Sequence, residues 1–174
     1  MNQAALPQLL MRRDDLAGLP PVEPPPGVDI RRAGADDAAA IAACLATAFG
    51  EPWDVARVER DLLRHPEVIA TFVAVLDGAV VATASAAWQP ARFGDAGVLH
   101  WVAALPGHGG KGLGGLVSLA ALRHCAAEGL VAAMLLTDDA RIPAIRTYRR
   151  LGFRPFHHHR SHPERWRAVL AAIG

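Results

Sequence analysis

Val98-Leu-His-Trp-Val-Ala-Ala-Leu-Pro-Gly-His-Gly-Gly-Lys-Gly-Leu-Gly-Gly115 is the stretch whose reading decides the fold. A largely apolar run ends at Pro106, a basic, glycine-dense loop follows, and an amphipathic helical pattern begins at Leu113. The order is strand, loop, helix. At such a helix start the backbone N–H groups point outward and the helix dipole favours an anion. The loop is therefore expected to hold the pyrophosphate of a nucleotide-containing cofactor.

Upstream of this stretch lie two β-type runs, 68–76 and 79–88, separated by Asp77-Gly78. Such a two-residue turn joins antiparallel neighbours. Downstream, Leu113, Leu116, Val117, Ala120 and Ala121 mark one helix face that ends at Gly129. The buried run Leu130 to Leu136 follows, parallel to the strand of the opening stretch because a helix intervenes. Asp138 or Asp139 is expected to cap a further helix, with Pro143 in its first turn and Ala144, Ile145 and Tyr148 on its inner face. Gly152 suits the left-handed position after that helix, and Phe153 opens a last strand reaching about His158.

The rest of the chain frames this unit. Val28–Arg32 reads as a strand, Ala38 to Phe49 as a helix stopped by Gly50, and Trp53 to Arg64 as a second helix ended by Pro66. A terminal helix is expected around Trp166 to Ile173. Residues 1–27 form a separate zone. Leu19 to Gly27 is too proline-rich for helix or central strand, and Leu6 to Leu19 suits a short helix. This arm lies on the domain, lies on the partner subunit of a homodimer, or stays loose, while 28–174 forms the domain proper.

The chain has 174 residues, 52% of them apolar, and this sets it among chains with a real core. A net charge of +1 gives no bulk electrostatic case for nucleic acid or an anionic membrane. Cys44 and Cys125 read as buried reduced thiols of a cytoplasmic protein, and no apolar run reaches membrane-spanning length. His157, His158, His159 and His162 do not read as a metal site. Consecutive strand residues point to opposite faces, and no cysteine or carboxylate cluster joins them.

Three other readings fit the loop less well. Gly107-His-Gly109-Gly-Lys-Gly112 satisfies the dinucleotide pattern GxGxxG, yet that fingerprint opens a doubly wound parallel sheet, and here an antiparallel hairpin comes first. A Walker loop fails because Lys111 is followed by Gly112 rather than Ser or Thr. A ligand-free turn would not need this density of glycine beside a lysine.

The sequence of elements resembles the GNAT acetyltransferase superfamily over about residues 28–158. Two motifs carry the resemblance. Val102-Ala-Ala-Leu-Pro106 followed by Gly109-Gly-Lys-Gly-Leu-Gly114 is similar to the family's acetyl-CoA motif, Arg/Gln-x-x-Gly-x-Gly/Ala. Ala144-Ile-Arg-Thr-Tyr-Arg-Arg-Leu-Gly-Phe153 is similar to its helix with a tyrosine before a Gly-Phe corner. Gly109 stands where the family has Arg or Gln, and Arg141 stands where many members have Asn.

The resemblance implies a mixed, mostly antiparallel sheet, splayed at the acetyl-CoA site and flanked by helices. It also implies an acetyl-CoA-dependent N-acetyltransferase acting on a primary amine, most simply that of a small molecule. Gly109, Gly110, Lys111, Gly112, Leu113, Gly114 and Gly115 would grip the pyrophosphate, and backbone groups of Val102, Ala103 and Ala104 would hold the pantetheine arm and thioester. Tyr148 would be the proton donor to the departing thiolate. His100, at a position where several members carry a carboxylate, would be the general base, placed by strand alternation on the face of Val102 and Ala104. Trp53 and Trp88 suit either the acceptor cleft or the core. The alternatives are an acyl-CoA sensor that keeps the fold without turnover, which Gly109 would favour, and a dinucleotide-dependent oxidoreductase, which the hairpin disfavours.

Overall fold

Asp77 and Gly78 take the left-handed backbone that a primed hairpin turn requires, with φ of +50° and +79°. They join two long strands, and the sheet grows on either side of them. In the computed structural model, which describes residues 6–108 and 111–174, the strands are β1 (Leu9–Arg13), β2 (Val28–Arg32), β3 (Val68–Leu76), β4 (Ala79–Trp88), β5 (Ala96–Ala104), β6 (Ala132–Thr137) and β7 (Arg154–Phe156). They form one sheet in the order β2-β3-β4-β5-β6-β1-β7, antiparallel throughout except for β5 and β6. The expected mixed, mostly antiparallel sheet is the one observed.

Helices cover both faces. Helix α1 (Ala38–Phe49) and the short α2 (Val55–Val58), continued by a wider π-type turn over Glu59–Leu63, enclose one face around Ile41, Leu45, Trp53, Val58, Leu62 and Val73. A single turn, α3 (Pro90–Phe93), precedes β5. Helix α4 (Leu113–Ala127) lies across β3, β4 and β5 on the other face and buries Leu113, Val117, Ala121 and Leu122. Helix α5 (Ile142–Arg150) packs against α4, and α6 (His162–Ile173) against α5. Cys44 and Cys125 are buried free thiols, and burial pushes them up to about 11 and about 12.

The parallel pair is short. β5 and β6 are in register only at Ala96, Gly97 and Val98 against Ala132, Ala133 and Met134. Beyond that point β5 follows β4, where Ala104 faces Ala82, and β6 follows β1, where Thr137 faces Leu9. A splay therefore opens between the far halves of β5 and β6.

Two sequence expectations need correction. Residues 9–13 are not helical: β1 is an internal strand, antiparallel to both β6 and β7, with Leu9, Leu10 and Met11 buried. Five residues are too few to show helical or strand periodicity, and the hydrogen-bonding edges of β6 and β7 decide the outcome. The connection is fastened further by Arg13, which donates to the Leu151 carbonyl, and by Arg123, which donates to the carbonyls of Leu19 and Pro20. Second, neither Asp138 nor Asp139 caps α5. Asp138 accepts from Gln8, Asp139 pairs with Arg165, and the N-cap residue is Arg141 with no side-chain cap bond. At the other end, Gly152 has φ +85° and the Phe153 N–H donates to the Tyr148 carbonyl at 3.0 Å, as the Gly-Phe corner predicts.

Candidate active site

The part of β5 that has left β6 lines a cleft of about 740 Å³. Its walls come from β5 (Val102, Ala103, Ala104), the start of α4 (Gly112 to Gly115) and one face of α5 (Arg141, Ala144, Thr147, Tyr148, Leu151). Of the sequence-predicted cofactor residues, Val102 to Ala104 and Gly112 to Gly115 are thus brought to one place with Tyr148. Gly109 and Gly110 lie outside the described residues.

Gly112 takes φ +70° as the N-cap of α4, a conformation that suits glycine. The first N–H groups of a helix have no partner within it, and here that end faces the cleft. A Cβ at position 112 or 114 would meet no atom within 4 Å, whereas one at 115 would lie 3.4 Å from Thr147 Cγ2. Gly112 and Gly114 therefore leave room at the cleft wall, and Gly115 lets α4 approach α5. Leu113 turns into the core and contributes its backbone alone. Lys111 is exposed and does not line the cleft.

Tyr148 is buried on the inner face of α5, 5% exposed. Burial pushes its phenol up to about 12, and the nearby charge of Arg141 acts in the opposite sense.

His100 is placed elsewhere. β4 pairs Ser85 with His100 but Thr83 with Ala103, so β5 carries one extra residue, and Trp101 absorbs it at φ +49°. This bulge breaks the alternation that would have put His100 on the face of Val102 and Ala104. His100 shares a face with Ala103 and opens into a separate hollow of about 200 Å³ with Asp61, His65, Glu67 and Gln89. Burial, followed by the charges of His65 and Arg92, lowers its pKa to about 4. Trp101 stacks edge-on with Phe49, Trp53 and His100, so Trp53 belongs to this aromatic cluster, and Trp88 is partly exposed with its indole N–H on the Gly94 carbonyl.

Comparison with known proteins places this architecture. The model of the acetyltransferase (GNAT) family matches residues 38–153. The chain belongs to the GNAT acetyltransferase family. It is 35% identical over 164 residues to the mycothiol acetyltransferase of Frankia casuarinae, covering 83% of this chain and 47% of the relative. It is 33% identical over 156 residues to that of Streptomyces avermitilis, covering 84% and 50%. The chain thus spans about half the length of the curated relatives it matches. Its fold resembles that of an acetyltransferase assigned to the GNAT family from Novosphingobium aromaticivorans, with TM-score 0.64 and 24% identity over 87% of this chain and 60% of that one. GNAT acetyltransferases in general use acetyl-CoA as acyl donor. Among the described residues no helix of this GNAT chain is long and apolar enough to cross a membrane.

Three cleft residues escaped the sequence reading as site groups. His108 lines the cleft with its Nδ1 buried and without a partner among the described residues. Arg150 lines it from the last turn of α5 and donates to Thr147 Oγ1. Arg141 had stood out only as a departure from the family's Asn. Helical spacing from Tyr148 could have flagged Arg141, but nothing local marks a cation nine residues further on as part of the same cleft.

Proposed function

We propose that this chain is an acetyl-CoA-dependent N-acetyltransferase acting on a primary amine of a small molecule. One observation carries the reading: the splay of β5 from β6, the glycine-built start of α4 and Tyr148 all line a single cleft. The residues fit the donor. The cleft has the first helix N–H groups of α4 and open glycine walls at one end, Arg150 in its lining, and a buried His108 nitrogen without a partner among the described residues.

When bound, acetyl-CoA supplies an activated acyl carbon, which forms the amide as its bond to sulfur breaks and leaves a thiolate to be protonated. The N–H groups at the start of α4 bind phosphate oxygens. Polar backbone groups of Val102 to Ala104, freed from strand pairing with β6, orient the acyl end. Tyr148 holds a proton at Oη throughout the neutral range and releases it into the cleft. His100 is not given the base role expected of it. It faces another hollow, and at about 4 its ring is a weak base, so the acceptor's proton leaves to water on the open side of the cleft.

The name of the curated relatives makes mycothiol-type amines the first acceptors to test. A thermal-shift comparison of acetyl-CoA, NAD and ATP, then thiol release across an amine panel, tests the reading. Stabilisation by acetyl-CoA with turnover of at least one amine is expected. Stabilisation by NAD alone would overturn the donor. Acetyl-CoA binding without turnover on any amine would leave a non-catalytic acyl-CoA sensor.

A further inference from the structure

Arg141 sits where neither helix chemistry nor burial favours a cation. It is the N-cap residue of α5, a position that prefers Ser, Thr, Asp or Asn and lies at the positive end of the helix dipole. The two carboxylates just before it are engaged elsewhere, Asp138 with Gln8 and Asp139 with Arg165. Its side chain is half-buried, and among the described residues no carboxylate lies within 4 Å of it. A local rule broken at a cleft residue points to a functional placement.

Two contacts fix the guanidinium in the cleft. Nη2 donates to the Val102 carbonyl at 3.2 Å, on the part of β5 that has left β6, and the group lies 4.5 Å from the centre of the Phe49 ring. Along α5, Arg141, Ala144 and Tyr148 follow at i, i+3 and i+7, which puts them on one face, and all three line the cleft. Helical side chains lean toward the N-terminus, so the Tyr148 ring leans toward Arg141, past the small side chain of Ala144 on the same face. His108 and Arg150 line the same cleft, but of the charged groups around Tyr148 it is Arg141 whose charge acts on the phenol.

The chemistry needs such a group. A phenol held near 12 by burial is a weaker acid than a simple thiol, near 8.5, so giving a proton to a thiolate leaves a buried phenolate uphill of the start. We propose that Arg141 is a positioning residue of the transfer: anchored by the Val102 carbonyl and the Phe49 ring, its guanidinium is the fixed cation that faces the phenolate formed when Tyr148 protonates the leaving sulfur. The Oη–H bond breaks as the S–H bond forms, and the proton released by the acceptor amine to water restores the phenol. The inference rests on the N-acetyltransferase reading.

The chain has a single tyrosine, so its titration belongs to Tyr148 alone. Biosynthetic replacement by fluorotyrosine brings the phenol into an accessible pH range, and fluorine NMR follows it in the wild type, Arg141→Gln, Arg141→Lys and Phe49→Leu. Arg141→Gln should raise the midpoint by about one pH unit, with Lys restoring most of it and Phe49→Leu, which frees the cation, moving it the same way. In turnover with unlabelled protein, Arg141→Gln should lower kcat about tenfold or more, with KM for acetyl-CoA changed less than about threefold. An unchanged midpoint in a folded Gln variant overturns the inference, as does a rise in KM with kcat intact. If Arg141→Gln does not fold, the Lys and Phe49→Leu midpoints decide. A wild type without turnover sinks the acetyltransferase reading and leaves the titration to judge the Arg141–Tyr148 pair on its own.

Discussion

Gly97 on β5 lies directly beneath Cys125 on α4: a Cβ at position 97 would stand 2.6 Å from the Cys125 Sγ and 3.0 Å from its Cβ. This contact lies within the three-residue stretch where β5 pairs with β6, so it sets how closely α4 sits on the sheet just before the splay. Gly97→Ala should destabilise by about 1–3 kcal/mol through overpacking. Cys125→Ala, which removes the sulfur, should relieve part of that loss. In urea unfolding the double variant should lose less than the two single variants added together, and strict additivity would show that the two residues do not press on each other.

Tyr148→Phe keeps the buried ring and removes only the hydroxyl. Acetyl-CoA-dependent thiol release should fall by about 10²-fold or more while KM for acetyl-CoA and the melting temperature stay close to the wild type. A variant that keeps more than about half the activity would remove Tyr148 from the reaction.

His100 makes two predictions with different readouts. Because its imidazole faces a hollow apart from the cleft, His100→Gln should leave kcat/KM within about threefold between pH 6 and 8, and a collapse of activity across that range would restore it as the base. Its folded pKa, about 4, lies below the ordinary value of 6.5. The folded state therefore binds fewer protons than the unfolded state, and stability is full above about pH 6.5 and declines as the pH falls toward 4. Denaturation midpoints of His100→Gln should fall less steeply than those of the wild type over that window.

The N-terminal segment is part of the sheet rather than a tether beside it. Removing residues 1–27 would strip β1 from between β6 and β7, expose two strand edges and uncover the surface that Leu9, Leu10 and Met11 bury. Each of these side chains is worth about 1.5–3 kcal/mol of burial, and open edges promote association. The truncated chain should be insoluble or unfolded by circular dichroism. A soluble, cooperatively folding 28–174 fragment would support the division into an arm, 1–27, and a domain, 28–174.

Features read correctly from the residues are those fixed by neighbours in sequence. Asp77-Gly78 demands a primed turn, Gly152-Phe153 closes α5, and Gly112 starts α4 with a left-handed backbone, because each depends on a local backbone preference. With the family resemblance that these motifs carry, the mixed, splayed sheet was legible. Tertiary structure decided the rest. A five-residue run, Leu9 to Arg13, took its conformation from two strands far along the chain. One extra residue at Trp101 turned His100 away from the cleft, and a bulge is invisible in a pattern of apolar residues until the opposite strand fixes the register. Arg141 gained its place in the cleft only once α5 was laid beside the opened end of β5, where the Val102 carbonyl accepts from its guanidinium.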